Sequence, residues 1–238
     1  MSQGHPKVFL ETEALALLQS RGVPVPRSRA VTDPAEAVLA ARGIGYPVVM
    51  KVLSPEILHK SDVGGVRIGL GDDQAVEAAF KEIMSSVKAA LPDREVLGIG
   101  VFSQEPPGTE VIVGMMNDPK FGPMIMFGLG GVHVELLRDV TFRVCPVSAE
   151  EARKMVAEIR GYPLLTGWRG APPCDLDALA RLIAVVSEIS MERGDLDSID
   201  LNPVALYPAG LRVLDAKFVF LDGDGARSSW VDICPERG

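Results

Sequence analysis

The chain has 238 residues, 47% of them hydrophobic and 24% charged, which is enough for one large α/β domain or two small subdomains and is not a disordered composition. Its 24 Lys and Arg stand against 32 Asp and Glu, a net charge of −8, so nonspecific nucleic-acid binding is disfavoured and any basic site must be local. No apolar run approaches the roughly eighteen residues of a membrane helix, no N-terminal apolar signal segment is seen, and Cys145, Cys174 and Cys234 lack CxxC spacing, a pattern that fits a reduced, cytoplasmic protein with no membrane or nucleic-acid partner.

In chain order, ETEALALLQSR (11–21) places Ala14, Leu17 and Leu18 at helical spacing and Gly22 stops it. VPVPRSRAV reads as an edge strand, and Asp33-Pro34 supplies an N-cap and first-turn proline for a helix that Gly43 and Gly45 end. PVVMK is a buried-strand pattern ending in Lys51. A polar segment with His59, Lys60, Ser61 and Asp62 follows, and Gly64-Gly65 leads into a second strand. Asp72 and Asp73 head a long helix with Val76, Phe80, Ile83, Met84 and Val87 on one face, closed by Pro92. After a strand at 96–102, the connector SQEPPG suggests a boundary near Ser103. Strands are expected at TEVIVGMM, 123–127, 132–137 and 141–144, with the glycine run Gly128 to Gly131 among them. Ser148 caps a helix expected to reach Gly161, the loop TGWRGAPPCD leads into the helix LDALARLIAVVSEISMER, and a hairpin turning at 207–210 ends the pattern.

Chemistry is concentrated in two places. Glycine can open backbone N–H groups to phosphoryl oxygens, a lysine such as Lys51 can neutralise them, and a histidine can take up a phosphoryl group covalently, so Lys51, His59, Gly64 and Gly65 together suggest a phosphate site. A segment hinged at Gly64-Gly65 would let the imidazole of His59 travel. In the hairpin, a symmetric turn pairs Leu206 with Leu211, Asn202 with Asp215 and Asp200 with Lys217. The two-residue period of a strand then puts the oxygens of Asp200, Asn202 and Asp215 on one face, as either a polar outer face or a Mg²⁺ site. Glu110 and Arg143 sit on strands where a charge needs a salt-bridge partner or a cleft. His5 reads as inert, and the cysteines as structural.

Taken in order, PVVMKVLSPEILHKSDVGGVRIGL, PPGTEVIVGMMNDPKFGPMIMFGLGG, FRVCPV, GWRGAPPCDLDAL and IDLNPVAL with LDAK span nearly the whole chain. They resemble the ATP-grasp (β) part of NDP-forming acyl-CoA synthetases, most of all the stand-alone β subunit of the ADP-forming acetyl-CoA synthetases. The resemblance implies an α/β ATP-grasp fold of two α/β subdomains with the nucleotide site in the cleft between them. These would be 24–102 with a phosphohistidine loop and 103–238 with a Mg-binding hairpin, after an N-terminal helix and lead-in at 1–23.

It further implies that Lys51 and the Gly64-Gly65 turn hold nucleotide phosphate, that Glu110 serves the ribose region, that Arg143 is a phosphate contact, and that Asp200, Asn202 and Asp215 carry Mg²⁺. His59 matches the histidine that relays phosphoryl between an α subunit and ADP or ATP. The α subunit, carrying the CoA-binding and a second phosphohistidine domain, would be an obligatory partner in a hetero-oligomer. The sequence departs from the family at the adenine hinge, where VFSQEPPG puts Ser103 at a commonly acidic position. Retention of His59 favours this reading over a catalytically silent nucleotide-binding regulatory module and over an ATP-grasp ligase that activates a carboxylate directly as acyl phosphate.

Overall fold

The protein is described here from a computed structural model covering residues 7–57, 59–130 and 139–221. His5, Gly131, His133, the strand expected at 132–137 and Cys234 lie outside the described residues. Two compact units are formed, one from residues 9–16 and 25–106, the other from 7–8, 17–24, 107–130 and 139–221.

The first unit is a sheet of β2 (Ser28–Val31), β5 (Gly98–Ser103), β3 (Val48–Leu53) and β4 (Val66–Leu70), in that order and antiparallel throughout. Helices α2 (Pro34–Ile44) and α3 (Asp73–Ala90) pack against each other and against this sheet. Both begin at an aspartate whose side chain accepts an early backbone N–H, Asp33 from Glu36 and Asp72 from Ala75, so the capping pattern in the sequence is realised. Val76, Phe80, Ile83 and Val87 of α3 are buried and Met84 partly so. α2 runs through Gly43 and stops at Gly45, whose φ of 96° is the left-handed region. β3 extends past Lys51 to Leu53, because Val52 and Leu53 are buried and continue the ladder to β5. Lys51 is therefore a mid-strand residue and not a strand end.

In the second unit β1 (Lys7–Val8), β11 (Ala216–Phe220), β9 (Leu196–Leu206), β6 (Thr109–Asp118), β7 (Gly122–Leu129) and β8 (Val140–Val144) lie side by side, with β10 (Leu211–Val213) also pairing β9. Helices α4 (Ala149–Ala157) and α6 (Leu176–Glu192) cover one face, burying Leu179, Leu182, Ile183, Val186 and Ile189 of α6. α4 is capped by Ser148 and ends at Ala157, short of Gly161. The loop before α6 holds a short helix, α5 (Tyr162–Leu165), and a 3-10 turn, Trp168–Gly170. Strand β1 has no periodicity to announce it, since a two-residue strand is specified by its partner β11.

One polar cluster fastens the helical layer of the first unit. The Tyr46 hydroxyl donates to Asp73 Oδ1 at 2.6 Å, and Arg42 forms an ion pair with the same carboxylate. Burial first, and then the Asp73 bond, pushes the Tyr46 phenol up to about 12, while Arg42 and Tyr46 hold Asp73 down at about 2. A phenol with a raised folded pKa contributes fully below its unfolded value near 10 and loses that contribution as pH climbs through the folded one. Alkaline titration followed by tyrosinate absorbance is therefore expected to show a late step near pH 12 that disappears in Tyr46→Phe. An identical curve in the variant would contradict the assignment.

Candidate functional site

In the first unit the candidate side chains gather on one strand and the turn after it. Lys51 faces Gly100 across the β3–β5 ladder, and the missing side chain there leaves room for the Phe102 ring, which a Cβ on Gly100 would meet at 2.5 Å. The Lys51 ammonium stands 5.1 Å from the centroid of that ring, a cation–π arrangement. It also donates to Oε1 of Glu11 at 2.6 Å, and Lys60 donates to Oε2 of the same carboxylate at 2.5 Å. Glu11, at the start of α1 (Glu11–Ser20), is only 4% exposed. A helix-start glutamate reads in sequence as a surface complement to the helix dipole, so Glu11 and its bond to Lys60 were not legible from spacing.

His59 directly precedes Lys60 and is exposed, and its imidazole makes no hydrogen bond among the described residues. The turn behind it is tight. Gly64 N–H donates to Ser61 O at 3.1 Å, Gly65 N–H to Lys60 O at 2.7 Å, and Val52 N–H to Gly65 O at 2.8 Å. A Cβ on Gly65 would meet Val52 and Lys60 O within 3 Å, and Gly64 has a φ of 68°. The glycines are thus needed for close approach and for a left-handed turn. Their N–H groups are bonded inside the turn rather than open to a phosphate, and Gly65 is packed against β3 where a hinge was expected. At the departure noted in the sequence, the Ser103 hydroxyl accepts Arg27 N–H at 3.1 Å and donates to Glu105 at 2.8 Å, which ties the connector to the start of β2.

The second unit realises the hairpin register read from the sequence. Leu211 pairs with Leu206 and Lys217 with Asp200, and Asn202 N–H donates to Asp215 O at 3.2 Å. Across the sheet, Asp200 pairs with Gly114, Gly114 with Met126 and Met126 with Phe142, so these share a face. Glu110 is exposed on that face of β6, four residues from Gly114 or roughly 13 Å along the strand. Arg143 belongs to the opposite set with Ile125, Met115 and Ile199. That is the helix-covered face, and there Arg143 pairs with Glu151 at 2.8 Å and Glu158 at 2.5 Å. The register therefore brings Asp200, Asn202, Asp215 and Glu110 onto one side and leaves Arg143 off it.

Asp200 carries the strongest electrostatic signal in this unit. Its Oδ1 is the sole buried side-chain nitrogen or oxygen among the described residues without a hydrogen-bond partner. Burial, reinforced by the neighbouring Asp215 charge and opposed by Lys217, pushes the carboxyl up to about 6. Asn202 is exposed and Asp215 half-buried. An orphaned carboxylate oxygen beside a second carboxylate and an amide oxygen suits a hard divalent cation, which would satisfy the oxygen and relieve the repulsion. Lys217 is the member that motif reading passed over, although its place opposite Asp200 follows from the register.

An acid whose folded pKa is raised loses stabilisation as pH climbs from its unfolded value to the folded one, here from near 4 to about 6. In metal-free buffer Asp200→Asn is therefore expected to melt a few degrees above wild type at about pH 8, with the gap closing near pH 4. Thermal scans across that range check it, and a gap that does not depend on pH would show that Asp200 is not the strained acid.

The ATP-grasp domain family matches residues 1–220. The chain is 44% identical over 211 residues to the β subunit of acetate–CoA ligase [ADP-forming] I of Pyrococcus furiosus, covering 89% of this chain and 91% of that one. The acetyl-coenzyme A synthetase 1 of Ca. Korarchaeum cryptofilum, solved with coenzyme A, Ca-AMPCP and HgCl+, superposes with a TM-score of 0.88 at 45% identity, over 90% of this chain and 94% of that one. The same synthetase with coenzyme A and Mg-AMPPCP, described with its phosphohistidine segment pointing towards the nucleotide binding site, gives 0.79 at 42% identity over 90% and 93% of the two chains. The sheets and helices described above, matched over this length and at this identity, make the chain a member of the ATP-grasp domain family and, within it, of the β subunits of ADP-forming acetate–CoA ligases.

Proposed function

We propose that the chain works with an α subunit to catalyse acyl-CoA + ADP + phosphate ⇌ acid + CoA + ATP, with His59 as the phosphoryl carrier on the nucleotide side. The observation that supports this best is the exposed imidazole of His59, on a turn whose next residue is fastened beside Lys51 through Glu11. In the ATP-forming direction His59 accepts the phosphoryl group from the α subunit's phosphohistidine, one N–P bond forming as the other breaks. A terminal phosphate oxygen of ADP then attacks that phosphorus, and the N–P bond to His59 breaks to leave the free imidazole. Lys51 neutralises nucleotide phosphate oxygens, the turn at Gly64-Gly65 shapes the approach to them, and Glu110 takes the ribose region. Asp200, Asn202 and Asp215 would hold Mg²⁺, which when bound draws charge from the phosphate oxygens.

The CoA-binding and second phosphohistidine domains belong to the α partner. With this reading go the subdomain division into 24–102 and 103–238 and a cytoplasmic location. No helix among the described residues is long and apolar enough to cross a membrane.

Mixed with its α subunit and labelled ATP, the chain is expected to take up acid-labile, base-stable label that His59→Asn abolishes while still binding nucleotide. Turnover by His59→Asn at the wild-type rate would overturn the relay. In calorimetry, Lys51→Ala and Asp200→Ala should each weaken Mg-nucleotide binding about tenfold or more, about 1.4 kcal/mol. Omitting Mg²⁺ should weaken wild type but hardly change Asp200→Ala, and unchanged affinity in both variants would remove these residues from the site.

A further inference from the structure

Glu11 lies outside every motif used above, yet it is the most thoroughly enclosed carboxylate of the first unit, with a side chain 1% exposed. Its two oxygens take one lysine each, Oε1 from Lys51 at 2.6 Å and Oε2 from Lys60 at 2.5 Å. Enclosing a carboxylate carries a large desolvation cost, offset only by well-formed charge-assisted bonds, and two ammonium groups brought this close repel each other unless an anion stands between them. The arrangement is therefore set by all three groups together, and it joins different parts of the chain. Glu11 begins α1, Lys51 is in the middle of β3, and Lys60 is in the turn next to His59.

Lys60 is also the point at which that turn is held from behind, since its carbonyl accepts Gly65 N–H at 2.7 Å and Gly65 O in turn accepts Val52 N–H from β3 at 2.8 Å. The rest of the turn is closed by longer bonds, Asp62 N–H to His59 O at 3.3 Å and Gly64 N–H to Ser61 O at 3.1 Å. With the backbone of Lys60 tied to β3 and its ammonium tied to Glu11, the residue before it has little freedom at its C-terminal side.

We propose that Glu11 is the positioning residue of the His59 segment, holding Lys60 through one carboxylate oxygen and Lys51 through the other so that the segment and the strand bearing Lys51 keep a fixed spacing. What that spacing serves rests on the phosphoryl-carrier reading of His59, whereas the restraint itself does not.

The test uses the full chain with its α subunit and the variants Lys60→Gln, Lys60→Arg and Glu11→Gln. Lys60→Gln leaves the Lys51–Glu11 pair in place and should fold. It is expected to speed amide hydrogen exchange at Asp62, Gly64 and Gly65 about tenfold and to slow labelling of His59 by ATP by a similar factor, with nucleotide Kd within about twofold. Lys60→Arg keeps the charge and should restore both. Glu11→Gln should loosen the same amides and also weaken nucleotide binding, because Lys51 is no longer held by this carboxylate, and adding Lys60→Gln to it should slow labelling no further. Exchange and labelling at wild-type levels in Lys60→Gln overturn the proposal, as do effects of the two substitutions that simply multiply. If Glu11→Gln does not fold, the two Lys60 variants decide. If wild type takes up no label on His59, the phosphoryl-carrier reading fails, while hydrogen exchange still judges the restraint by itself.

Discussion

Strand β9 hydrogen-bonds to β6 along one edge and to β10 and β11 along the other, and this ladder settles which side chains of the second unit can meet. Side chains alternate between faces with each residue, so a shift of one position would send Asp200 into the helix-covered core and bring Ile199 out. The hydrophobic set makes such a shift prohibitive. Ile199, Leu201, Met115 and Ile125 are all fully enclosed, and exposing them would forfeit on the order of 1.5–3 kcal/mol for each side chain. Placement of the acidic face is thus a consequence of core packing on the other side of the sheet. It needs no attraction between the acids, which repel.

Glu11 and Asp200 illustrate two outcomes for a carboxylate removed from water. Glu11 has a lysine on each oxygen, an arrangement complete within the protein. Asp200 has an oxygen with no partner and Asp215 close by, and its carboxyl is pushed up to about 6. A protein stable in all other respects retains such a group only if something else completes it or if neutralisation is tolerated. Arg143, paired with Glu151 and Glu158, and Lys51, paired with Glu11 and resting over the Phe102 ring, belong with the first outcome.

Glycine in the His59 turn also has a physical meaning different from the one suggested by motif. The pair Gly64-Gly65 invites reading as flexibility or as open N–H donors, but a missing Cβ serves equally to let two backbones touch. At Gly65 it is the contact with Val52 and Lys60 that decides. The turn is held where Gly65 meets Val52 and Lys60, while His59, Ser61 and Asp62 stay exposed.

Much of this molecule is local chemistry and could be read from the chain. Helix caps at Asp33, Asp72 and Ser148, the core stripe of α6 and the register of the last hairpin follow from residue spacing, since each is decided within a few residues or by a turn of known length. The hairpin placed Asp200, Asn202 and Asp215 together for that reason. Tertiary structure alone decided the rest. A two-residue strand such as β1 has no period to detect, and the burial of Glu11 depends on lysines forty and more positions away. Arg143 falls on the far face because four strands in register separate even from odd positions. Spacing along a chain fixes what neighbouring residues can do, whereas the partner of a buried charge and the face of a distant strand are set by long-range pairing that no short stretch of sequence contains.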